Sequence, residues 1–171
     1  MNVHEAIEKR HSVRSFDSRP VESDKLQRIL ESARLAPTAR NVQDLKLIVV
    51  QDSHLRQEIS KATGQPFVAQ APVILAVVSL DPVRKMHCGV PAGPVDCAIL
   101  LDHVSLAAVE EGLGSCWIGH FDQDSARKIL DVPKSAQIIS LMPLGYSSQT
   151  PTSTVKVRKS LDELVSYDRF S

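Results

Sequence analysis

Aromatic side chains are scarce in this 171-residue sequence: four Phe, two Tyr and one Trp, 4% of the chain. So thin a supply argues against a stacking platform for single-stranded nucleic acid. Net charge is also lacking, with 20 Lys and Arg against 20 Asp and Glu. That balance excludes a strongly basic nucleic-acid surface and an acidic disordered tail. Cysteine is limited to Cys88, Cys97 and Cys116, an odd number with no framework spacing. Together with His87 and His103 they lack zinc-ligand spacing, so no metal site is expected. There is no Walker A motif, no HExxH, no repeat and no low-complexity tract. No apolar run approaches transmembrane length, and MNVHEAIEKRHSVR lacks the apolar stretch of a signal peptide. These absences lead to the expectation of a reduced, soluble, cytoplasmic protein without a membrane or nucleic-acid partner.

What is present suits one globular domain spanning residues 1–171. Hydrophobic residues make up 43% and charged residues 23%, close to the globular average. Area scaling gives roughly 8,300 Å² exposed when folded against about 27,000 Å² unfolded, enough for a core without disulfides. Asn2 with Glu5 predicts a capping box ahead of a short apolar stripe, Val3, Ala6 and Ile7. Leu26, Ile29, Leu30 and Ala33 predict a helix from Ser23 that Pro37 brings to an end. Leu45–Val50, Val73–Val78 and Gln137–Leu144 read as buried strands, and Ser115–Ile118 as a short one. Ser53–Ala62 reads as a helix closed by Gly64, and Asp122 or Asp124 caps another ending near Leu130. Asp81–Pro94, with three prolines and two glycines, is the expected flexible segment. Val95–Glu111 predicts a helix apolar on nearly every side, hence a central or subunit-interface helix. Ser147–Val157 should run extended over a surface, and Ser160 with Glu163 should cap a last helix with Leu161, Leu164 and Val165 inward. Alternating helices and strands indicate α/β or α+β architecture with both sheet faces covered.

Four stretches could carry chemistry. In RHSVR, period-two alternation puts Arg10, Ser12 and Arg14 on one face of an extended segment, with His11 and Val13 opposite. Two guanidiniums around a hydroxyl suit a phosphate, although a solvated basic patch is the plainer alternative. Lys156 and Arg158 alternate in the same way in TVKVRKS, and the two basic pairs could converge on one phosphate. The loop APTARNVQD holds Thr38, Arg40, Asn41 and Gln43 on a short connection between a helix and a strand; an ordinary polar loop is the alternative. GLGSCWIG, residues 112–119, gathers three glycines around the only Trp, where backbone N–H groups are accessible to a planar ligand. It is not a dinucleotide fingerprint, because Trp117 stands at the third glycine position and a helix precedes it.

Taken in order, R-H-S-V-R-S-F, A-P-T-A-R-N-V-Q, G-L-G-S-C-W-I-G, P-L-G-Y and a late K-V-R resemble the compact branch of the FMN-dependent nitroreductase family. The resemblance covers almost the whole chain. It implies an α+β sandwich, a central mixed sheet flanked by helices, in an intertwined homodimer with FMN at the interface. It implies a C-terminal tail, about residues 147–171, packed on the partner subunit. It implies two-electron transfer by a ping-pong mechanism from NADH or NADPH through FMN to nitroaromatic, quinone or related acceptors. By match to the family motifs, Arg10, Ser12 and Arg14, with His11 beside them, would hold the phosphate, ribityl chain and pyrimidine edge. Lys156 and Arg158 would return to the phosphate, and Gln65 would reach the pyrimidine edge. Thr38, Ala39 and Asn41 would come from the other subunit, and the backbone of Trp117, Ile118 and Gly119 would face the central ring. No side chain is expected to act as acid, base or nucleophile, since the chemistry belongs to the cofactor. Gln43-Asp44-Leu45 departs from the commoner Gln-Pro-Trp on the acceptor side. A flavin-binding storage or sensor protein without turnover, or a specialised flavin dehydrogenase or dehalogenase, are the alternatives of function.

Overall fold

A computed structural model describes residues 1–149 and 156–170. Its framework is a four-stranded sheet in the order β1-β2-β4-β3: β1 Leu45–Val50, β2 Val73–Ser79, β3 Gly114–Ser115 and β4 Gln137–Gly145. Six helices surround it: α1 Val3–Lys9, α2 Ser23–Arg34, α3 Ser53–Thr63, α4 Ala92–Glu110, α5 Gln123–Ile129 and α6 Leu161–Leu164. The strands pair antiparallel throughout. The mixed character of the sheet rests on an isolated parallel bridge between Ser12 and Ser115.

β2 organises the interior. Every one of its residues is buried, and its pleat sends alternate side chains into two separate cores. Val73, Leu75 and Val77 join α2 and α4 residues such as Ile29, Leu101 and Val104. Ile74, Ala76 and Val78 join Ile59, Ala126 and Leu141 on the face covered by α3 and α5. β1, expected as a buried strand, is instead the sheet edge and is half-buried along most of its length.

Helix ends follow local rules. Asn2 and Glu5 form the reciprocal capping box of α1. Asp52 and Asp122 accept the N–H groups of Leu55 and Ser125 to cap α3 and α5. Gly64 closes α3 at φ 65°. α4 begins at Ala92, three residues before the expected Val95, because Pro94 lies in its first turn, where an N–H has no intrahelical partner anyway. Its 19 residues are long and apolar enough to span a bilayer by length and composition. Leu100, Leu101, Val104 and Ala108 are nevertheless core residues packed against the sheet.

Two further expectations are overturned. The chain from Asp81 to Pro91 is a tied hairpin, and residues 92–94 already belong to α4: Lys85 bridges Pro91, Met86 N–H donates to Val90 O, and Ala92 N–H donates to Arg84 O. Its prolines and glycine shape turns here, so their number misled. In α6 the Ser160–Glu163 box forms, yet Leu161 and Leu164 are exposed and Val165 is largely so. A capping box sets where a single turn begins and does not by itself bring its apolar side chains against a core. Most of Ser147–Val157, Thr150–Val155, lies outside the described residues.

The N-terminal segment after α1 is stitched to the sheet. Val13 N–H donates to Ser115 O, and Asp17 N–H to Tyr146 O. Val13 is buried against Gly114, where an added Cβ would come within 2.4 Å of Val13 Cγ2. Gly114→Ala is therefore expected to overpack this contact, at about 1–3 kcal/mol. Val13→Ala in the same chain should recover most of that loss, and chemical denaturation of the four-variant cycle measures it. Tyr146 anchors the opposite flank: its hydroxyl donates to Glu22 Oε2 at 2.6 Å, and Arg19 lies over its ring. That hydrogen bond, the backbone N–H of Glu22 itself and Arg19 hold the Glu22 carboxyl at about 2 against an ordinary 4.5. The contribution is present above the ordinary carboxylate range and is lost as pH falls from about 4.5 to about 2. Tyr146→Phe should raise the Glu22 midpoint in a carboxylate titration by NMR, and its stability deficit should shrink across that window.

Candidate cofactor site

Three separate parts of the chain meet at one end of the sheet. Arg10 caps α1 through its N–H to Ala6 O, after which the backbone extends and pairs with Ser115 through Ser12. The expected alternation is present where packing enforces it: Val13 is buried while Arg14 is exposed. His11 is exposed, its Nδ1 against Lys9 O at 3.0 Å. Arg10, Ser12 and Arg14 also converge on Cys116. Burial pushes that thiol up, while Arg14, a hydrogen bond from Ser12 and Arg10 pull the other way. The third part is the C-terminal segment, where the Lys156 ammonium donates to Ile7 O on the last turn of α1. Burial there, together with Arg10 and Arg158 nearby, lowers the Lys156 pKa, and Glu8 opposes the shift. The two basic pairs thus lie together, which the sequence left as a possibility.

After β3 the chain continues along β4. Ile118 bridges Leu141 and is buried, whereas Trp117 is 38% exposed. Gly119 faces open space, with no atom within 4 Å of an added Cβ. Gln65 is brought beside this run, its amide donating to His120 O at 3.5 Å.

Thr38, Ala39 and Asn41 are not brought to this cluster. Their loop enters β1 at Leu45, which pairs with Ser79 at one end of β2, while Ser115 and Leu144 lie at the Val73 end. About 20 Å of strand separates the two ends. The loop is a 3-10 turn, Ala39–Asn41, with Arg40 at φ 58°, Asn41 at 54° and Gln43 at 61°. Such left-handed conformations are disfavoured for side chains with a Cβ and persist only where surroundings impose them. Ala39 N–H donates to Asp96 Oδ1 at 2.9 Å, and Gln43 N–H to Thr38 Oγ1 at 3.1 Å.

Asp96 and Arg84 were not among the residues singled out from the sequence, and Asp44 stood out only as a departure from the Gln-Pro-Trp pattern. The signal for Asp96 was there: a lone acid in G-P-V-D-C-A-I-L-L, otherwise apolar, must be matched by donors inside. Among the described residues, no group of three or more His, Cys, Asp and Glu could hold a metal.

The donor set at the first end fits a phosphorylated planar ligand. Arg10, Arg14, Lys156 and Arg158 bring like charges together beside the Ser12 hydroxyl, and a polyanion relieves their repulsion. The half-exposed indole of Trp117 and the open backbone at Gly119 lie on the same chain segment as Cys116.

A family model described as "Putative TM nitroreductase" matches residues 2–170. A nitroreductase family protein from Clostridium difficile 630 has a solved structure that is 34% identical. It superposes with a TM-score of 0.90 over 99% of this chain and 100% of that one. An FMN-dependent nitroreductase from Clostridium difficile R20291 is 26% identical, with a TM-score of 0.81 over 96% and 98% of the two chains. An NADPH-dependent oxidoreductase of Staphylococcus aureus strain MRSA252 is 23% identical over 99% of this chain and 74% of its own length. With the match running through both ends of the sheet and the hairpin between them, the chain belongs to the nitroreductase family.

Proposed function

We propose that the protein is an FMN-dependent oxidoreductase that takes two electrons from NADH or NADPH and passes them to a nitroaromatic, quinone or related acceptor. The observation that carries this reading is the meeting of Arg10, Ser12 and Arg14 with Ser115–Gly119 and with Lys156 at one end of the sheet. Arg10, Lys156 and Arg158 would bind the cofactor phosphate, and Ser12 and Gln65 would supply further hydrogen bonds. His11 would flank the phosphate end without a chemical task. Arg14 would neutralise negative charge at the pyrimidine edge, and the Trp117–Ile118–Gly119 backbone would face the ring. FMN, when bound, supplies reversible two-electron transfer between nicotinamide and acceptor. The residues around it need only bind, orient and neutralise, which is why no side chain is assigned as acid, base or nucleophile. Donor and acceptor would use one face in turn, giving ping-pong kinetics.

The proposal includes a homodimer in which the Thr38, Ala39 and Asn41 loop of one copy completes the cradle of the other. It is supported by the distance between those two parts within one chain, and by surface. The chain exposes 10522 Å² against roughly 8,300 Å² for a monomer of its mass. Tyr167 and Phe170 are 86% and 101% exposed, and Leu161 and Leu164 nearly as open, as a tail lying on a second copy would leave them. A cytoplasmic setting fits three free cysteines.

The purified chain should carry FMN and oxidise NADPH or NADH when a quinone is supplied. Arg10→Ala should weaken FMN at least ten-fold, because hydrogen bonds between charged groups contribute about 1.5–3 kcal/mol. Riboflavin, without the phosphate, should bind much less tightly than FMN. Cys116→Ala and His11→Ala should keep turnover within about ten-fold, ~1.4 kcal/mol in the barrier. Fluorescence titration and steady-state kinetics give both readings. Equal FMN affinity in Arg10→Ala and the parent would refute the cradle, and binding without turnover would favour a storage or sensor role.

A further inference from the structure

We infer that Arg84 is a positioning residue for the proposed cofactor site: by bridging Asp44 and Asp96 it holds the Thr38–Asn41 loop in the shape that a second copy's cradle receives. The inference rests on the functional reading above and adds to it a residue far from the cradle in sequence and in its own chain.

The contacts form one continuous path. Arg84 Nε donates to Asp44 Oδ2 at 3.1 Å, and its Nη2 donates to Asp96 Oδ2 at 3.2 Å. The other Asp96 oxygen accepts the Ala39 N–H at 2.9 Å. Hairpin, helix α4 and loop are therefore joined through one guanidinium and one buried carboxylate. Asp96 is 1% exposed, and a carboxylate so placed needs its donors. Without Arg84, the Ala39 N–H is its one remaining hydrogen-bond donor among the described contacts.

The loop is braced from within, but its Ala39 end is tied to the rest of the fold through Asp96. Within residues 40–43, three non-glycine residues are left-handed. Internal support comes from Asn41 N–H to Thr38 O and from the Gln43 N–H and side-chain amide. The direction in which Thr38 and Asn41 are presented thus depends on where Asp96 pins Ala39, and Asp96 depends on Arg84. Asp44 is the outer end of the same clamp. Its backbone continues the β1–β2 ladder through Leu80 N–H to Asp44 O at 3.0 Å, so its carboxylate is fixed to the sheet. Asp44 is also the position at which this chain departs from the Gln-Pro-Trp pattern. Its charge is matched by an arginine that the 81–91 hairpin supplies. Lysine could not substitute, since an ammonium is a single point and the guanidinium reaches the two carboxylates from two separate nitrogens.

The test is FMN affinity of the full-length chain, with assembly state checked by sedimentation. Arg84→Met should raise the FMN Kd ten-fold or more in a folded dimer, and Asp44→Ala about three-fold. The double variant should bind no more weakly than Arg84→Met, because Asp44 acts through Arg84. A mixed dimer of Arg10→Ala and Arg84→Met subunits provides a reading that mere destabilisation would not give. If the Arg84 clamp serves the other copy's cradle, one site per dimer keeps the parent Kd, and the second is weaker than in either homodimer. Two weakened sites with neither at the parent Kd, or a folded Arg84→Met dimer within two-fold of the parent, overturn the assignment. Should Arg84→Met fail to fold, Asp44→Ala at the parent Kd overturns it. A parent chain that does not bind FMN sinks the functional reading itself, which separates the two failures.

Discussion

Burial of β2 on both faces is the constraint from which the rest of the arrangement follows. A strand with all seven residues inside must be covered by helices above and below and by a strand on each edge. Its alternating side chains divide the interior into an α2–α4 core and an α3–α5 core, and neither could persist without the other. Once that layer is set, its two ends are held about 20 Å apart. The basic segment docks at the Val73 end by pairing with Ser115, and the Thr38–Asp44 loop is delivered to the Ser79 end by β1. The proposed site is thereby split between two places that a single chain does not join.

Each end pays an energetic cost that packing alone does not explain. At the first, Arg10, Lys156 and Arg158 are close enough to repel, with Glu8 as the opposing charge. At the second, Arg40 and Gln43 sit in left-handed backbone, costing about 1–2 kcal/mol each, with less for Asn41. Against a net domain stability of about 5–15 kcal/mol these are not negligible. A charge-assisted bond such as Ala39 N–H to Asp96 contributes about 1.5–3 kcal/mol, enough to offset one strained residue. Like charge and backbone strain cluster at ligand sites more than on purely structural surfaces, and the proposed function gives both a reason.

Much of this was legible from local pattern. Capping residues placed the starts of α1 and α5 and the end of α3, and apolar runs placed β1, β2 and β4. Period-two reading of Arg10, Ser12 and Arg14 needed only an extended backbone, which Val13 secures by burial against Gly114. What local pattern did not carry was long-range. Nothing near Arg84 in sequence announces Asp44, forty residues away, so a segment with three prolines read as loose when it is clamped. Pro94 looked like a helix boundary because its tolerance in a first turn depends on where the helix starts. Leu161 and Leu164 have the spacing of an inward face, and spacing alone does not say which molecule provides the inside.

That last distinction bears on the assembly. Leu161, Leu164 and Phe170 together forgo about 5–9 kcal/mol of burial free energy on their own chain. Val3 and Ile7 leave an apolar stripe on α1 uncovered. Beside it lies a cavity of about 480 Å³, bounded by Val3, Ala6, Leu35, Leu106 and Ala107. Isolated apolar residues on a surface need no cause, but a capped, apolar terminal turn and an open apolar groove in one chain do. In the proposed dimer each chain would offer a tail and a groove to the other. The same association would bring a Thr38–Asn41 loop within reach of the other chain's arginine cradle. In the proposed dimer, the apolar surface would thus stabilise the assembly on which a polar site depends.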